Sequence, residues 1–322
     1  MLALSCAATA HAAAPDFPPI NARPVSLAAN IKNGARLDAI RIRGMLEIPS
    51  QTVNGLRLAE LSDLAWDNDD GILYAVTDQG ALFGLRPVFK RGMLTDVRLA
   101  SAAPLREPDT GKNLKWRRTD GEGLDILHGR NGRRGDAELV VSFEVEPRIL
   151  RYGRDGSARE LVPLPKALAA ADRFQSANRG LEALCVHPRL GILVMPEAPL
   201  RGAADKAMHV YGLNGKTWRL DSKGTPVALD CSAAGPVLIL EREFSTALFR
   251  ARATLREATL PAKPGTKPVA TRVLAELDGA KGHAVDNFEG LTRHTGRRYF
   301  MVSDNNDIFL QRTLLLYFEV SH

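Results

Sequence analysis

Three glutamates open short, near-identical motifs in this chain: Glu122 in EGL, Glu182 in EAL and Glu289 in EGL. A second acidic set closes apolar runs in the same repeats, at Asp78, Glu144, Glu197, Glu241 and Asp304, with Asn305 beside the last. Carboxylates brought together repel and raise one another's pKa unless something neutralises them. The options are a bound cation, ion pairs with arginine, or a proton shared for acid–base work. An all-oxygen donor set suits Ca²⁺, with Glu122, Glu182, Glu289, Asp304 and Asn305 as the expected ligands. Ca²⁺ acidifies water less than zinc does, so an unliganded carboxylate, Glu144 or Glu241, is expected to serve as general base. Arg179 in NRGLEAL and Arg242 in ERE would steady developing negative charge. Arg148 in EPR belongs to the same motifs, and each of these arginines reads equally as a structural pair or an anion clamp. The competing reading of the acidic ring is bracing, in which each carboxylate accepts N–H bonds from a neighbouring repeat and no ligand is held.

Other chemistries have little support. The seven histidines are dispersed, no HExxH occurs, and the cysteines lack CxxC spacing, which argues against zinc. No GxSxG elbow supports Ser142 or Ser303 as a nucleophile. The acidic run at residues 67–71, DNDDG, reads as a hairpin turn because Asp, Asn and Gly are turn formers and the alternation of a calcium loop is missing.

Carboxylates so far apart in sequence meet only if the fold repeats. Short apolar runs at 72–77, 139–143, 192–195, 237–240 and 299–302, each bounded by Gly, Asp, Asn or Pro, read as strands. Only 165–174 has helical composition. The runs fall into five degenerate copies, at 62–85, 122–152, 181–197, 226–243 and 288–307. Ser62 and Asp230 stand at or near the position that glutamate takes in the other three. A spacing of roughly 40 to 60 residues is that of a propeller blade with variable loops. The expected fold is therefore all-β: one β-propeller of five or six blades over residues 36–320, any sixth blade lying in 263–284 or before Ser62. The strand at 37–48 is expected to complete the last blade, whose own third strand, 314–320, comes at the end of the chain. Inner strands line the axial channel, so equivalent positions of the repeat become neighbours there.

The whole chain sets limits on partners and compartment. Its 322 residues are 45% hydrophobic and 25% charged, ample for a core, and the formal net charge of +6 suits an anionic small-molecule substrate. Aromatic content is 6% and the basic residues are scattered, which argues against nucleic acid; the cluster at 112–118 reads as a solvated loop. Residues 1–14, ending in Ala-His-Ala before further small residues, read as a signal peptide or its remnant, so a periplasmic or secreted protein is expected. No later segment is apolar enough to span a bilayer as a helix, and a monomer is expected. Cys185 and Cys231 either pair in an oxidising compartment or remain as two buried thiols.

The motifs DGEGLDI, SFEVEPRILRY, NRGLEAL, LILERE, NFEGL and VSDNN, in that order, resemble the phytase-like family described as having esterase-like activity of phytase. The resemblance covers residues 60–320. It implies a β-propeller in an exported bacterial protein that hydrolyses phosphate or carboxylic esters. Residue by residue, the family's EGL positions fall on Glu122 and Glu289, its Asn-Arg-Gly-x-Glu motif on Asn178, Arg179 and Glu182, its Glu-Arg pair on Glu241 and Arg242, and its SDNN motif on Ser303 to Asn306. Ala183 replaces glycine in one copy and Ser62 opens another, departures that shift a ligand without breaking the blade and weaken the case for a symmetrical metal ring. A Ca²⁺-dependent lactonase and a non-catalytic cell-envelope propeller that binds a ligand or protein stand as alternatives.

Overall fold

Strands made of unbroken apolar runs, such as ILYAVT and ELVVSF, have two faces to bury. The fold satisfies them by packing each sheet between two others. The computed structural model describes residues 17–203, 206–222, 224–231, 235–245, 250–306 and 311–321; the leader expected over residues 1–14 lies outside them. Four four-stranded antiparallel sheets and one six-stranded sheet form the five blades of a propeller. Blade one comprises Leu61–Asp67, Ile72–Thr77, Ala81–Lys90 and Met93–Pro104. Blade two comprises Gly121–Leu127, Glu138–Phe143, Arg148–Gly153 and Ala158–Val162. Blade three comprises Leu181–His187, Gly191–Pro196, His209–Gly212 and Thr217–Arg219. Blade four comprises Thr225–Asp230, Val237–Ser245, Arg250–Ala258 and Thr271–Asp278.

Blade five takes Asn287–Thr295, Arg298–Asp304 and Thr313–Val320 from the end of the chain and Ile40–Ile48 from its beginning. Thr313 pairs with Ile48 and Val320 with Ile40, so the closure expected from residues 37–48 forms and the ring has no open seam. The blade number is five: the stretch considered for a sixth, 263–284, supplies the outer strand of blade four.

The core is divided into wedges, one between each pair of neighbouring blades. Within the second strand of blade two, Leu139 and Val141 face blade one while Val140 faces blade three. Val237 and Ile239 likewise join the wedge with blade three, and Leu238 and Leu240 the wedge with blade five. Successive side chains point to opposite faces of a strand, and here both faces are apolar. The helix expected at 165–174 does not form; a 3₁₀ turn at Ala171–Arg173, without a side-chain cap, is all that appears there. Isolated helices of that length are marginal without a packed face, and no residue of this turn is buried.

Candidate active site

Each of the five inner strands carries a β-bulge in its first turn of pairing. The register shifts between Leu61 and Asp63, Gly121 and Leu124, Leu181 and Ala183, Pro226 and Ala228, and Phe288 and Gly290. An extra residue there breaks the alternation and re-aims a side chain. The residues so placed are Ser62, Glu122, Glu182, Val227 and Glu289. Blade four therefore offers Val227 at the position for which Asp230 was considered; Asp230 lies at the far end of the strand.

The second strand ends against the bulge in blades one, two, three and five and runs on to Ser245 in blade four. Its pairing sets Asp78, Glu144, Glu197, Arg242 and Asp304 just past the partners Thr77, Phe143, Pro196, Glu241 and Ser303. In blade four the equivalent residue is thus Arg242, not Glu241. Arg242 Nη1 pairs with Glu289 Oε1 and donates to Asn287 Oδ1 at 2.7 Å, while Nη2 lies 3.3 Å from Glu197 and 3.9 Å from Glu182. Glu289, Glu182 and Glu197 hold the guanidinium strongly protonated against the opposing cost of burial.

Arg242 neutralises one side of the ring. On the other side lie Asp78, Asp120, Glu122 and Asp304, which make no ion pair with Arg or Lys among the described residues. Carboxylate oxygens of Asp78, Asp120 and Glu122 lie within 4.8 Å of one another, and so do those of Glu122, Glu144 and Glu182. Burial, followed by the charge of Asp304, pushes Asp78 up to about 7. Burial raises Glu122 well above the usual carboxylate range, reinforced by Glu182, Asp78, Glu144 and Glu289. Glu144 is pushed up to about 8 by burial, although Gly180 N–H donates to it at 3.1 Å. Burial lifts Asp304 to about 6. Such a crowded set of oxygen donors could hold a metal ion.

The structure brings together Glu122, Glu144, Glu182, Glu289, Asp304 and Arg242 and leaves out three other expected residues. Asn305 is turned away: its Oδ1 accepts from Glu60 N–H at 3.0 Å and its Nδ2 donates to Ser50 at 3.0 Å, so it is no ligand in this arrangement. Glu241 faces outward, where Ser222 donates to one oxygen and Arg256 Nε to the other at 2.6 Å. That pairing removes it from the role of general base in the channel. Arg179 is exposed at the rim, 3.7 Å from Glu197. Arg148 is structural, stacked 3.9 Å from the Phe143 ring centroid. Asp120 was missed, though it lies two residues before Glu122 in the motif DGEG.

Bracing is done by a different set of residues. Asp63 accepts from Leu124 N–H of blade two at 2.8 Å and from Leu291 N–H of blade five at 2.9 Å. Asp125 accepts from Val186 of blade three at 2.6 Å, and Asp230 from Arg293 of blade five at 2.7 Å. Between blades three and four the same strand position holds Cys185, bonded to Cys231 with Cα atoms 5.5 Å apart. Every blade interface thus has a tie between inner strands. Of the bulge glutamates, Glu182 and Glu289 meet Arg242 of blade four across blade boundaries, whereas Glu122 makes no such tie among the described residues.

The family model described as phytase-like, esterase-like activity of phytase, matches residues 56–307. No curated protein matches. Among solved structures, the gluconolactonase XC5397 of Xanthomonas campestris is 15% identical, with 96% of this chain and 88% of that chain covered and a TM-score of 0.42. The Cps50 (Swd1) propeller domain of Myceliophteria thermophila is 10% identical over 95% of this chain and 100% of its own, with a TM-score of 0.41. The RRP9 WD40 repeats are 10% identical over 92% and 100%, with a TM-score of 0.44.

Proposed function

The chain belongs to the phytase-like family, esterase-like activity of phytase, and from that premise we propose that it hydrolyses small anionic esters, carboxylic or phosphoric, at the carboxylate-lined mouth of its central channel. The observation that carries this reading is the division of the acidic ring by Arg242. One half has its own cation. The other concentrates Asp78, Asp120 and Glu122, which have no ion-pair partner among the described residues.

Asp78, Asp120 and Glu122 would hold the divalent ion, for which Ca²⁺ is the natural occupant, and Asp304 would add to the negative field around it. When bound, such an ion supplies neutralisation of these carboxylates and polarisation of an ester or phosphoryl oxygen. Glu144, on the other side of Glu122, is suited to hold and pass a proton: its pKa of about 8 lies near neutrality, and Gly180 N–H fixes one of its oxygens. Arg242, oriented by Asn287 and Glu289, presents a guanidinium toward developing negative charge. Bracing is a weaker explanation of Asp78, Asp120 and Glu122 because Asp63, Asp125, Asp230 and the disulfide already perform it. The disulfide also favours the oxidising compartment of a periplasmic or secreted protein.

The test is hydrolysis of p-nitrophenyl phosphate, p-nitrophenyl acetate and a simple lactone with Ca²⁺ or EDTA, beside Glu122→Gln. Turnover that disappears with EDTA and in the variant supports the reading and ranks the substrates. If no substrate turns over and Ca²⁺ leaves the melting temperature unchanged, the chain is a binding propeller.

A further inference from the structure

Outward from the channel mouth, between blades three and four, lies a cavity of about 600 Å³. Its walls are of two kinds. Arg179, Lys206 and Arg219 make one side basic, and Pro199, Met208 and Leu220 make the other apolar. Glu197 is common to cavity and channel: Oε1 lies 3.3 Å from Arg242 and Oε2 lies 3.7 Å from Arg179. Among the described residues, the other carboxylates nearby have partners of their own. Asp221 accepts from Thr271 N–H at 2.8 Å. Glu241, behind Ser222 and Gly224, is paired with Arg256, and a Cβ on Gly224 would come within 2.7 Å of its carboxyl carbon.

We propose that this cavity is a second subsite, which takes an anionic group of the substrate, a carboxylate or phosphate, while the carbon skeleton leading to the scissile ester lies along Pro199, Met208 and Leu220. The inference rests on the hydrolase reading and narrows its substrate to esters that carry a separate negative charge. The two neighbouring fields have opposite signs, so they orient such a molecule. Its anionic end is repelled by the carboxylate ring and drawn to Arg179 and Lys206, which leaves the ester group toward Glu144 and Arg242. Charge-assisted bonds from guanidinium and ammonium groups are the strong kind for this purpose.

Two measurements test the proposal with the intact chain and an Arg179→Gln/Lys206→Gln double variant, both positions being exposed. Calorimetry in EDTA, with succinate and with inorganic phosphate as separate probes, should show binding to the wild type that weakens about tenfold or more in the variant. The probe that binds more tightly identifies which anion the subsite takes. No heat from either probe, or heat retained in the variant, overturns the anion site. With Ca²⁺ present, monomethyl succinate should be hydrolysed with higher kcat/KM than the uncharged methyl pentanoate, and the ratio should fall by about tenfold in the variant. Equal turnover of the two esters by the wild type overturns the substrate role. If neither ester is hydrolysed, it is the hydrolase reading that fails, and calorimetry alone decides whether the cavity is an anion site.

Discussion

Arg242 is held by Glu289, Glu197 and Glu182, and it takes the place that an acidic residue occupies in the other blades. Removing one partner of a buried ion-pair network strands the rest, at a cost of about 3 to 5 kcal/mol. Arg242→Met should therefore lower the melting temperature in EDTA by several degrees. The rise produced by Ca²⁺ should be larger in this variant than in the wild type, because two further carboxylates then lack a counter-charge. A melting temperature indifferent to the substitution would remove Arg242 from its assigned role. Sequence analysis gave Arg242 and Glu241 the same standing. The two are adjacent in a strand, so only one can face the channel, and the pairing of Pro226 with Glu241 decides which.

At the scale of the strand, the bulge does the positioning and small residues make room for it. A Cβ on Gly123 would come within 2.7 Å of the backbone nitrogen of Leu184 in blade three and 2.6 Å of Ser142 Oγ. Gly290 faces Asp63 of blade one in the same way, its added Cβ lying 2.9 Å from Asp63 Cα. Gly123→Ala should cost about 1 to 3 kcal/mol by forcing blades two and three apart, readable in urea unfolding. Ca²⁺ affinity should fall with it, since Glu122 is the preceding residue. Blade three tolerates Ala183 at this position, and blade four Ala228, so the requirement depends on the local neighbour and not on the repeat as such. The EGL motif was plain in the sequence. That its glutamate is the extra residue of a bulge was not, because a bulge is defined by the partner strand.

The channel gathers more carboxylates than Arg242 neutralises, which gives the stability of the whole molecule a direction in pH. Asp78 and Asp125 at about 7, Glu144 at about 8 and Asp304 at about 6 all lie above their unfolded values. The folded chain then holds protons that the unfolded chain releases, so stability is greatest toward the unfolded carboxylate range and is lost as pH rises through the folded values. His294 acts oppositely: burial among Trp66, Phe89 and Phe300 depresses it to about 4, which weakens the fold as pH falls below about 6.5. The EDTA-treated protein should melt at a higher temperature near pH 6 than near pH 8.5, measured by circular dichroism. Ca²⁺ should flatten most of that slope, leaving the part due to Asp125, which lies outside the cluster. A slope unchanged by Ca²⁺ would separate the carboxylate ring from cation binding.

The all-β propeller, its closure by an N-terminal strand and the glutamates of the ring were legible in the sequence. Apolar runs bounded by turn formers encode strands locally, and a repeat brings its equivalent positions together whatever the details of packing. The number of blades required the structure, because the stretch at 263–284 reads alike as an outer strand or as a degenerate blade until its pairing with Arg250–Ala258 is seen. Tertiary structure alone also decided which charges serve which purpose. Asp63, Asp125 and Asp230 went to backbone N–H groups of neighbouring blades, Glu241 to Arg256, Asn305 to a loop, and Asp78, Asp120 and Glu122 to one another. A carboxylate's role depends on what lies within a few ångströms of it, and in a ring closed from both ends of the chain those neighbours come from other blades.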